Sequence, residues 1–413
     1  MELHLPAAVD RVLERMEQAG EQAYLVGGCV RDLLLGRPVH DYDIAVSTPP
    51  DRTAELFAAF PLVETGRKHG TIGVVTDLGV LELTTFRAEG DYADHRHPGR
   101  VRFLPEIEGD LSRRDFTVNA IAADRRGNIV DPFGGREDLS RRLLRCVGEP
   151  RRRFEEDSLR ILRCARFAAV LGFGIEPATL AAGVELAGSV GAVSRERVTA
   201  EVLGLFAGEY FPRAAGGCLP LLAGVWPEVS ILGPGSATLL SRPVSGELEA
   251  LADARLLALA ALLWETLPRW QAAERLLVPL RLPRVRRALL LEAADRLELP
   301  AAVDRIEVKR RAARFSDGAA ARCFLAAELL GEDRTGEQAL HRQVIKQGLC
   351  RSAAELKVRG RDLLELGIPA GPDVGRLLDR LLDEVLEERL ANRREDLLAQ
   401  AQVWRDEDGR HDP

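Results

Sequence analysis

The apolar and polar positions follow two different patterns along the chain. Over residues 23–130, short runs of β-branched and aliphatic residues predict strands at 23–26, 42–46, 71–75, 80–86, 119–123 and 128–130. Among or just before them, apolar residues spaced three and four apart predict helices at 7–19, 30–35 and 50–59. This is mixed α/β order. Beyond about residue 151 the helical spacing recurs almost alone, as over 154–171, 195–206, 250–262 and 374–391. Glycine and proline punctuate it, and soft boundaries fall near 148–150, 232–236 and 299–300. A chain of 413 residues exceeds one ordinary domain. There is no fixed-period repeat, and the polar residues 407–413 are expected to fray.

Composition narrows this picture. The net charge of -7 gives no global sign of nucleic-acid binding, so any basic surface has to be local. Cys29, Cys146, Cys164, Cys218, Cys323 and Cys350 include no Cys-x-x-Cys pair, so zinc spacing is absent. The longest apolar stretch, residues 256–264, is too short to span a membrane, and no charged-then-apolar leader opens the sequence. Free thiols without an export signal point to a cytoplasmic protein.

The candidate chemistry starts at a glycine turn. Tyr24-Leu25-Val26-Gly27-Gly28-Cys29-Val30-Arg31 reads as strand, turn and helix start. Glycines there let backbone N–H groups approach an anion, and Arg31 in the first helical turn reaches the same place. Taken alone, Gly-Gly after a strand is usually only a turn. The next strand changes the weighting. In Asp41-Tyr42-Asp43-Ile44-Ala45-Val46, alternation puts Asp41 and Asp43 on one face. Adjacent carboxylates repel unless a cation sits between them, and Mg²⁺ takes this ligand type together with substrate phosphates. Glu82 stands on the face of its strand opposite to Leu81 and Leu83. If that strand lies beside 42–46, Glu82 completes a three-carboxylate set; otherwise it is a solvent-facing side chain.

Two arginine-rich segments follow. Arg113-Arg114-Asp115-Phe116-Thr117-Val118-Asn119 offers guanidinium forks for phosphate and a carboxylate for a ribose hydroxyl, or a surface ion-pair cluster. Asp157, Arg160, Arg163 and Arg166 recur at steps of three, a polar ridge on one predicted helix. Asp157 and Arg160 would then be neighbours, an acceptor beside a donor fork. Such a pair suits the Watson–Crick edge of a base, and equally an ordinary exposed ion pair.

These segments, with Asp131-Pro132-Phe133-Gly134-Gly135 and Glu156-Asp157-x-x-Arg160, stand in the order of a known family. The chain resembles the class II, bacterial-type tRNA nucleotidyltransferases, the CCA-adding enzyme / poly(A) polymerase family of the polymerase-β-like superfamily. The match is specific over about residues 20–210 and looser beyond, where 356–367 is similar to the family's tail. The resemblance implies an α/β head with a mixed sheet (1–147), then an all-α neck (148–210), body (211–298) and tail (299–413). It implies addition of C, C and A to the 3′ end of tRNA from CTP and ATP without a nucleic-acid template. Asp41 and Asp43 would hold Mg²⁺, with Glu82 as the third acidic catalytic position. Gly28, Arg31 and Arg114 would contact the nucleotide, Asp115 its ribose, Asp157 and Arg160 its base, and Arg163 and Arg166 its triphosphate. Ser194-Arg195-Glu196-Arg197 is similar to a further family segment that braces the neck.

Close relatives add only A, add only CC, or make poly(A). The stretch Lys68-His69-Gly70-Thr71 resembles the tRNA enzymes and not the poly(A) polymerases. Residues 89–100 match a flexible loop that the CC-only enzymes lack in part, which leaves A-only addition open. Of another class is a tRNA-binding protein without catalysis, which would be expected to lack one of the carboxylates. His-Asp pairs occur only at His40-Asp41 and His411-Asp412, so no accompanying phosphohydrolase is expected. The expected partners are tRNA, ATP and CTP, with no membrane and no obligate protein partner. For tRNA backbone contact, Arg141, Arg142, Arg145, Arg151–Arg153, Lys357, Arg359 and Arg361 are the candidates.

Overall fold

The computed structural model describes residues 4–89 and 101–408. The loop expected at 89–100, beyond the backbone of Glu89, and the His411-Asp412 pair lie outside the described residues. Helix α1 (Ala7–Gln18) buries Val9, Val12, Leu13 and Met16, the stripe that its spacing predicts. It leads into β1 (Ala23–Val26), followed by β2 (Asp43–Val46), β3 (Leu62–Val63), β4 (Thr71–Thr76) and β5 (Gly79–Thr85). A separate two-stranded ribbon pairs β6 (Arg87–Glu89) with β7 (Val101–Phe103), and β8 (Ala122–Ala123) and β9 (Ile129–Val130) complete the set. The main sheet has seven strands in the order β3-β4-β5-β2-β1-β8-β9. Its β2–β5 pair is parallel and its other pairs antiparallel, so the sheet is mixed.

Helices α2 (Gly28–Leu34), α3 (Pro50–Leu56), α4 (Ile107–Ser112) and α5 (Gly135–Arg141) accompany this sheet. Val26, Ala45, Phe86, Ile107, Leu111 and Ala122 share one core cluster, which fixes α4 against the sheet. Beyond it the chain is helical apart from one short strand pair: α6 (Pro150–Glu156), α7 (Leu159–Leu171), α8 (Pro177–Leu186), α9 (Arg195–Ala207), α10 (Phe211–Cys218) and α11 (Pro234–Leu240). Ile161, Leu162, Ala165 and Ala169 of α7 are buried. Each large aliphatic side chain among them contributes about 1.5–3 kcal/mol by leaving water, so the arginines on the other side of α7 ride on a fixed helix.

The structure corrects the helix expected over 154–171. It breaks at Asp157, whose φ of -145° is extended, and α6 and α7 are separate helices. Asp157 therefore does not share a helical ridge with Arg160. The cause is local competition: the Asp157 carboxylate accepts the Leu159 N–H at 3.0 Å, a hydrogen bond that replaces continued helix. The strand expected over 119–123 is also shorter. Thr117–Asn119 forms a single 3₁₀ turn, and only Ala122 and Ala123 pair in the sheet.

The chain divides into two units. Met1–Ser241 with Pro279–Arg281 makes the first, and Arg242–Val278 with Leu282–Pro413 the second. In the second unit the helices are α12 (Leu248–Leu263), α13 (Arg269–Leu277), α14 (Arg284–Glu298), α15 (Arg305–Arg314), α16 (Asp317–Leu330) and α17 (Thr335–Lys346), then α18 (Gly360–Glu365), α19 (Pro372–Leu386) and α20 (Arg394–Asp408). Val358, Leu363, Leu381, Leu397 and Trp404 form the core of the last three. The earlier helices are tied by buried charge. Glu337, fully buried, accepts from Arg296 at 2.8 Å, Arg311 at 3.1 Å and Arg334 at 3.4 Å. Among the described residues no helix is long and apolar enough to cross a membrane.

Candidate active site

The glycine turn carries the first element. Gly27 has φ 77°, a conformation that side-chain-bearing residues rarely adopt, and a Cβ there would stand 2.8 Å from Arg114 Nη1. Gly28 opens α2 with an ordinary φ, so the turn depends on Gly27, although the two glycines together look interchangeable in sequence. The turn lets Arg114 lie across the end of β1.

Asp43 starts β2 and pairs directly with Glu82 of β5. Opposed residues of neighbouring strands share a face, so both carboxylates look the same way. Asp41, Asp43 and Glu82 border one cavity of about 450 Å³. The protein atoms around Asp43 strip water from its carboxyl and raise its pKa above the usual value; Arg114 opposes this and the charge of Asp41 adds to it. Two carboxylates that repel in this way suit a hard divalent cation whose other ligands are phosphate oxygens and water. Among the described residues no three acidic, His or Cys side chains converge to hold a metal by themselves. Glu82 thus faces the carboxylate cavity without forming a ready three-carboxylate cluster.

A second cavity, about 380 Å³, touches the first at Asp43 and gathers most of the remaining candidates: Gly28, Arg31, Arg114, Asp115, Asp157, Arg160 and Arg163. Arg166 is not part of its wall; its Nε donates to Glu201 at 2.5 Å. The wall also includes Gly27 and Arg113, which belong to the glycine turn and arginine pair offered for phosphate, and Asn119, Phe167 and Arg197, to which the sequence assigned no nucleotide contact.

The added residues organise the cavity. Asn119 accepts from Arg31 Nη1 at 2.8 Å and donates to Asp115 at 3.0 Å, linking α2 to α7. Asp115 also accepts its neighbour's Phe116 N–H at 2.8 Å and a fork from Arg163, through Nε at 2.8 Å and Nη2 at 2.7 Å. The guanidinium groups of Arg31, Arg163 and Arg166 lie 5.3, 5.2 and 4.4 Å from the Phe167 ring centroid. An aromatic face holds cations without neutralising them. Buried Asp110 receives Arg113 at 2.8 Å and Arg114 at 3.1 Å.

The base-reading candidates have separate braces. Asp157 accepts from Arg197 Nη2 at 2.9 Å. Arg160 donates to Glu156 at 2.9 Å and to the carbonyl oxygens of Arg153 and Arg113 at 3.1 and 2.8 Å. The 194–197 stretch therefore reaches the site through Arg197. Of the basic residues expected to meet tRNA, Arg141, Arg145, Arg151 and Arg361 are paired with nearby carboxylates. The pairs of Arg141, Arg151 and Arg361 are exposed and weak enough to exchange for phosphate, whereas Arg145 is held by the buried carboxylate of Asp138.

Asp115 should leave a signature in acid. Burial alone would raise its pKa, but the Arg163 charge and the hydrogen bonds from Asn119, Arg163 and Phe116 hold it down to about 2, against 3.8 in an unfolded chain. A depressed folded pKa gives stability that is present above the unfolded value and lost as pH falls toward the folded one. Asp115 should therefore contribute about 2 kcal/mol above pH 4, lost between about pH 4 and 2. Denaturant melts of the wild type and Asp115→Asn across this range check it: their stability difference should narrow in acid by that amount. A constant difference would exclude the linkage.

A mixed sheet that sets paired carboxylates beside an arginine-lined cavity of nucleotide size defines a nucleotidyltransferase head. Known proteins agree. The Poly A polymerase head domain family matches residues 23–145, and the tRNA nucleotidyltransferase domain 2 family matches residues 295–401. The chain belongs to the bacterial-type CCA-adding enzymes. It is 37% identical over 396 residues to the CCA-adding enzyme of Geobacillus stearothermophilus, covering 94% of each chain. It is 35% identical to that of Limosilactobacillus fermentum, covering 94% of this chain and 95% of the relative. The crystal structure of the Bacillus stearothermophilus CCA-adding enzyme in complex with CTP superposes with a TM-score of 0.78, at 32% identity and 98% coverage of both chains.

Proposed function

We infer that this chain adds C, C and A to the 3′ end of tRNA from CTP and ATP, using protein side chains where a polymerase uses a template. The observation that carries this is one cavity holding Asp43, the arginines and the Asp157–Arg160 pair together. Arg31, Arg114 and Arg163 bind and orient the triphosphate, with Asn119 and Phe167 fixing Arg31, Phe167 and Asp115 fixing Arg163, and Asp110 fixing Arg114. Asp115 anchors Arg163; a ribose hydroxyl reaches its carboxylate only by displacing one of its present donors. Arg166 acts through Glu201, one step behind the cavity wall.

Asp157 and Arg160 select the base. Cytosine and adenine each present an amine donor beside a ring acceptor, which an Asp acceptor and an Arg donor match. Uracil and guanine reverse that order and set acceptor against acceptor. Asp41 and Asp43 would hold Mg²⁺ together with the nucleotide's phosphates, with Glu82 facing the same cavity. When bound, the ion supplies the positive charge that favours attack by the RNA 3′-hydroxyl and departure of pyrophosphate.

The chain runs as a catalytic head to residue 147, a helical neck to 210, a helical body to 298 and a helical tail beyond. All six cysteines are unpaired and buried, which suits a reducing cytoplasm.

The test uses purified protein, Mg²⁺ and three tRNAs, ending before CCA, after C and after CC. CTP and ATP are supplied singly and together. All three tRNAs should grow to the same finished end with both nucleotides, and chelation with EDTA should stop addition. Extension of only the tRNA ending in CC would reduce the activity to A addition. Undiminished addition in EDTA would exclude the metal.

A further inference from the structure

Asp115 already carries as many hydrogen bonds as its carboxylate accepts, about four. Oδ1 takes the Phe116 N–H at 2.8 Å and Asn119 Nδ2 at 3.0 Å. Oδ2 takes Arg163 Nε at 2.8 Å and Nη2 at 2.7 Å. Two of the three donor residues are fixed. The Phe116 N–H is backbone at the entrance to the 117–119 turn, and buried Asn119 is held at its other end by Arg31. Arg163 is placed differently. Its side chain is 33% exposed and lines the nucleotide cavity. Its Nη1 reaches Glu201 only at 3.8 Å, longer than a hydrogen bond. Both of its bonds to Asp115 end on one oxygen, because Oδ1 is occupied by the other two donors. That is a poorer match than a fork whose arms meet two oxygens.

We propose that Arg163 makes recognition of the ribose conditional on the triphosphate: it turns from Asp115 to the terminal phosphates, and the Oδ2 it leaves accepts the 2′-hydroxyl. The proposal rests on the nucleotide binding inferred above. A terminal phosphate offers the guanidinium fork two oxygens and more negative charge than one carboxylate. The Phe167 ring, its centroid 5.2 Å from the guanidinium carbon, gives Arg163 a surface on which to turn while it keeps its aromatic contact. Once Arg163 has moved, Oδ2 is a buried acceptor that has lost its donors, a costly state. A 2′-hydroxyl placed there removes that cost, and a 2′-deoxynucleotide leaves it standing. A monophosphate lacks the terminal phosphates, so Arg163 stays on Asp115 and the 2′-hydroxyl gains no acceptor. Arg163 is thus a specificity-determining residue that ties the choice of ribose to an intact triphosphate.

The experiment measures nucleotide affinities with Mg²⁺ and without RNA, by competition against labelled CTP. The competitors are CTP, dCTP, CMP and dCMP, on the wild type and on Arg163→Ala, with a melting curve for each protein. In the wild type, dCTP is expected to bind about tenfold more weakly than CTP, the size of one hydrogen bond to a charged group, while CMP and dCMP agree within about twofold. In folded Arg163→Ala, Oδ2 is open from the outset, so the 2′-deoxy penalty should appear in both pairs. A wild-type penalty of equal size in the triphosphate and monophosphate pairs would overturn the coupling. So would a folded Arg163→Ala with no penalty in either pair. The wild-type comparison decides by itself if the variant fails to fold. Addition of C to a tRNA lacking CCA, with the same wild-type preparation, tests the underlying reading. Addition without a difference between the pairs overturns the coupling alone, and a wild type that binds no CTP overturns both.

Discussion

Asp43→Asn is expected to slow nucleotide addition by about 10⁴-fold, about 5.5 kcal/mol of barrier, while the folded protein still binds tRNA. Asparagine keeps the shape of aspartate and removes its charge. Asp43 is the residue common to the two cavities, and it lies beside Asp41 and across from Glu82. Its carboxyl is already disfavoured as an anion by lost water and by Asp41, so neutralising it relieves repulsion and does not weaken the fold. Activity and stability should therefore separate: the melting temperature holds or rises slightly as turnover collapses. Single-turnover rates with CTP and a tRNA lacking CCA, taken beside a thermal melt, check both parts. A variant that keeps a tenth of the wild-type rate would remove Asp43 from the chemistry.

Arg160→Ala is expected to reduce the preference for CTP over UTP by about a hundredfold, within the range for losing a paired recognition contact. Asp157→Ala should do the same by removing the acceptor for the exocyclic amine. Both residues border the nucleotide cavity, and each is fixed by a different partner: Arg160 by Glu156 at 2.9 Å, Asp157 by Arg197 at 2.9 Å. Loosening a brace should be milder than removing the reader, so Glu156→Gln should cost less selectivity than Arg160→Ala. Competition assays with CTP and UTP on one tRNA measure the ratio. If CTP and UTP incorporation fell equally in Arg160→Ala, Arg160 would be holding the site together without reading the base.

Much of this site is visible in the residues themselves. Asp41 and Asp43 alternate on a strand start, Gly-Gly marks a tight turn, and arginine clusters advertise anion binding. Fold class followed from the switch of apolar spacing near residue 150, which the structure places at the start of α6. The register of β2 with β5 was not visible, because the parallel partner of a strand depends on the whole sheet; Glu82 opposite Asp43 is known only from the pairing. Asp157 misled for a local reason. Helical spacing runs through it, but its carboxylate captures the Leu159 N–H and ends one helix before the next begins. Asn119, Phe167 and Asp110 escaped notice because each acts on other side chains, and such contacts join residues distant in sequence. Phe167 left a faint sign, an aromatic directly after Arg166 in a helix whose arginines recur at 160, 163 and 166.

The central claim is that protein side chains specify C, C and then A. The most direct measurement offers the wild-type enzyme a tRNA lacking CCA, Mg²⁺ and all four nucleoside triphosphates, with no other nucleic acid, and sequences the 3′ ends formed. The expected product is a single end, CCA, with U and G absent. A run of A, an end extended without regard to base, or no extension would contradict it.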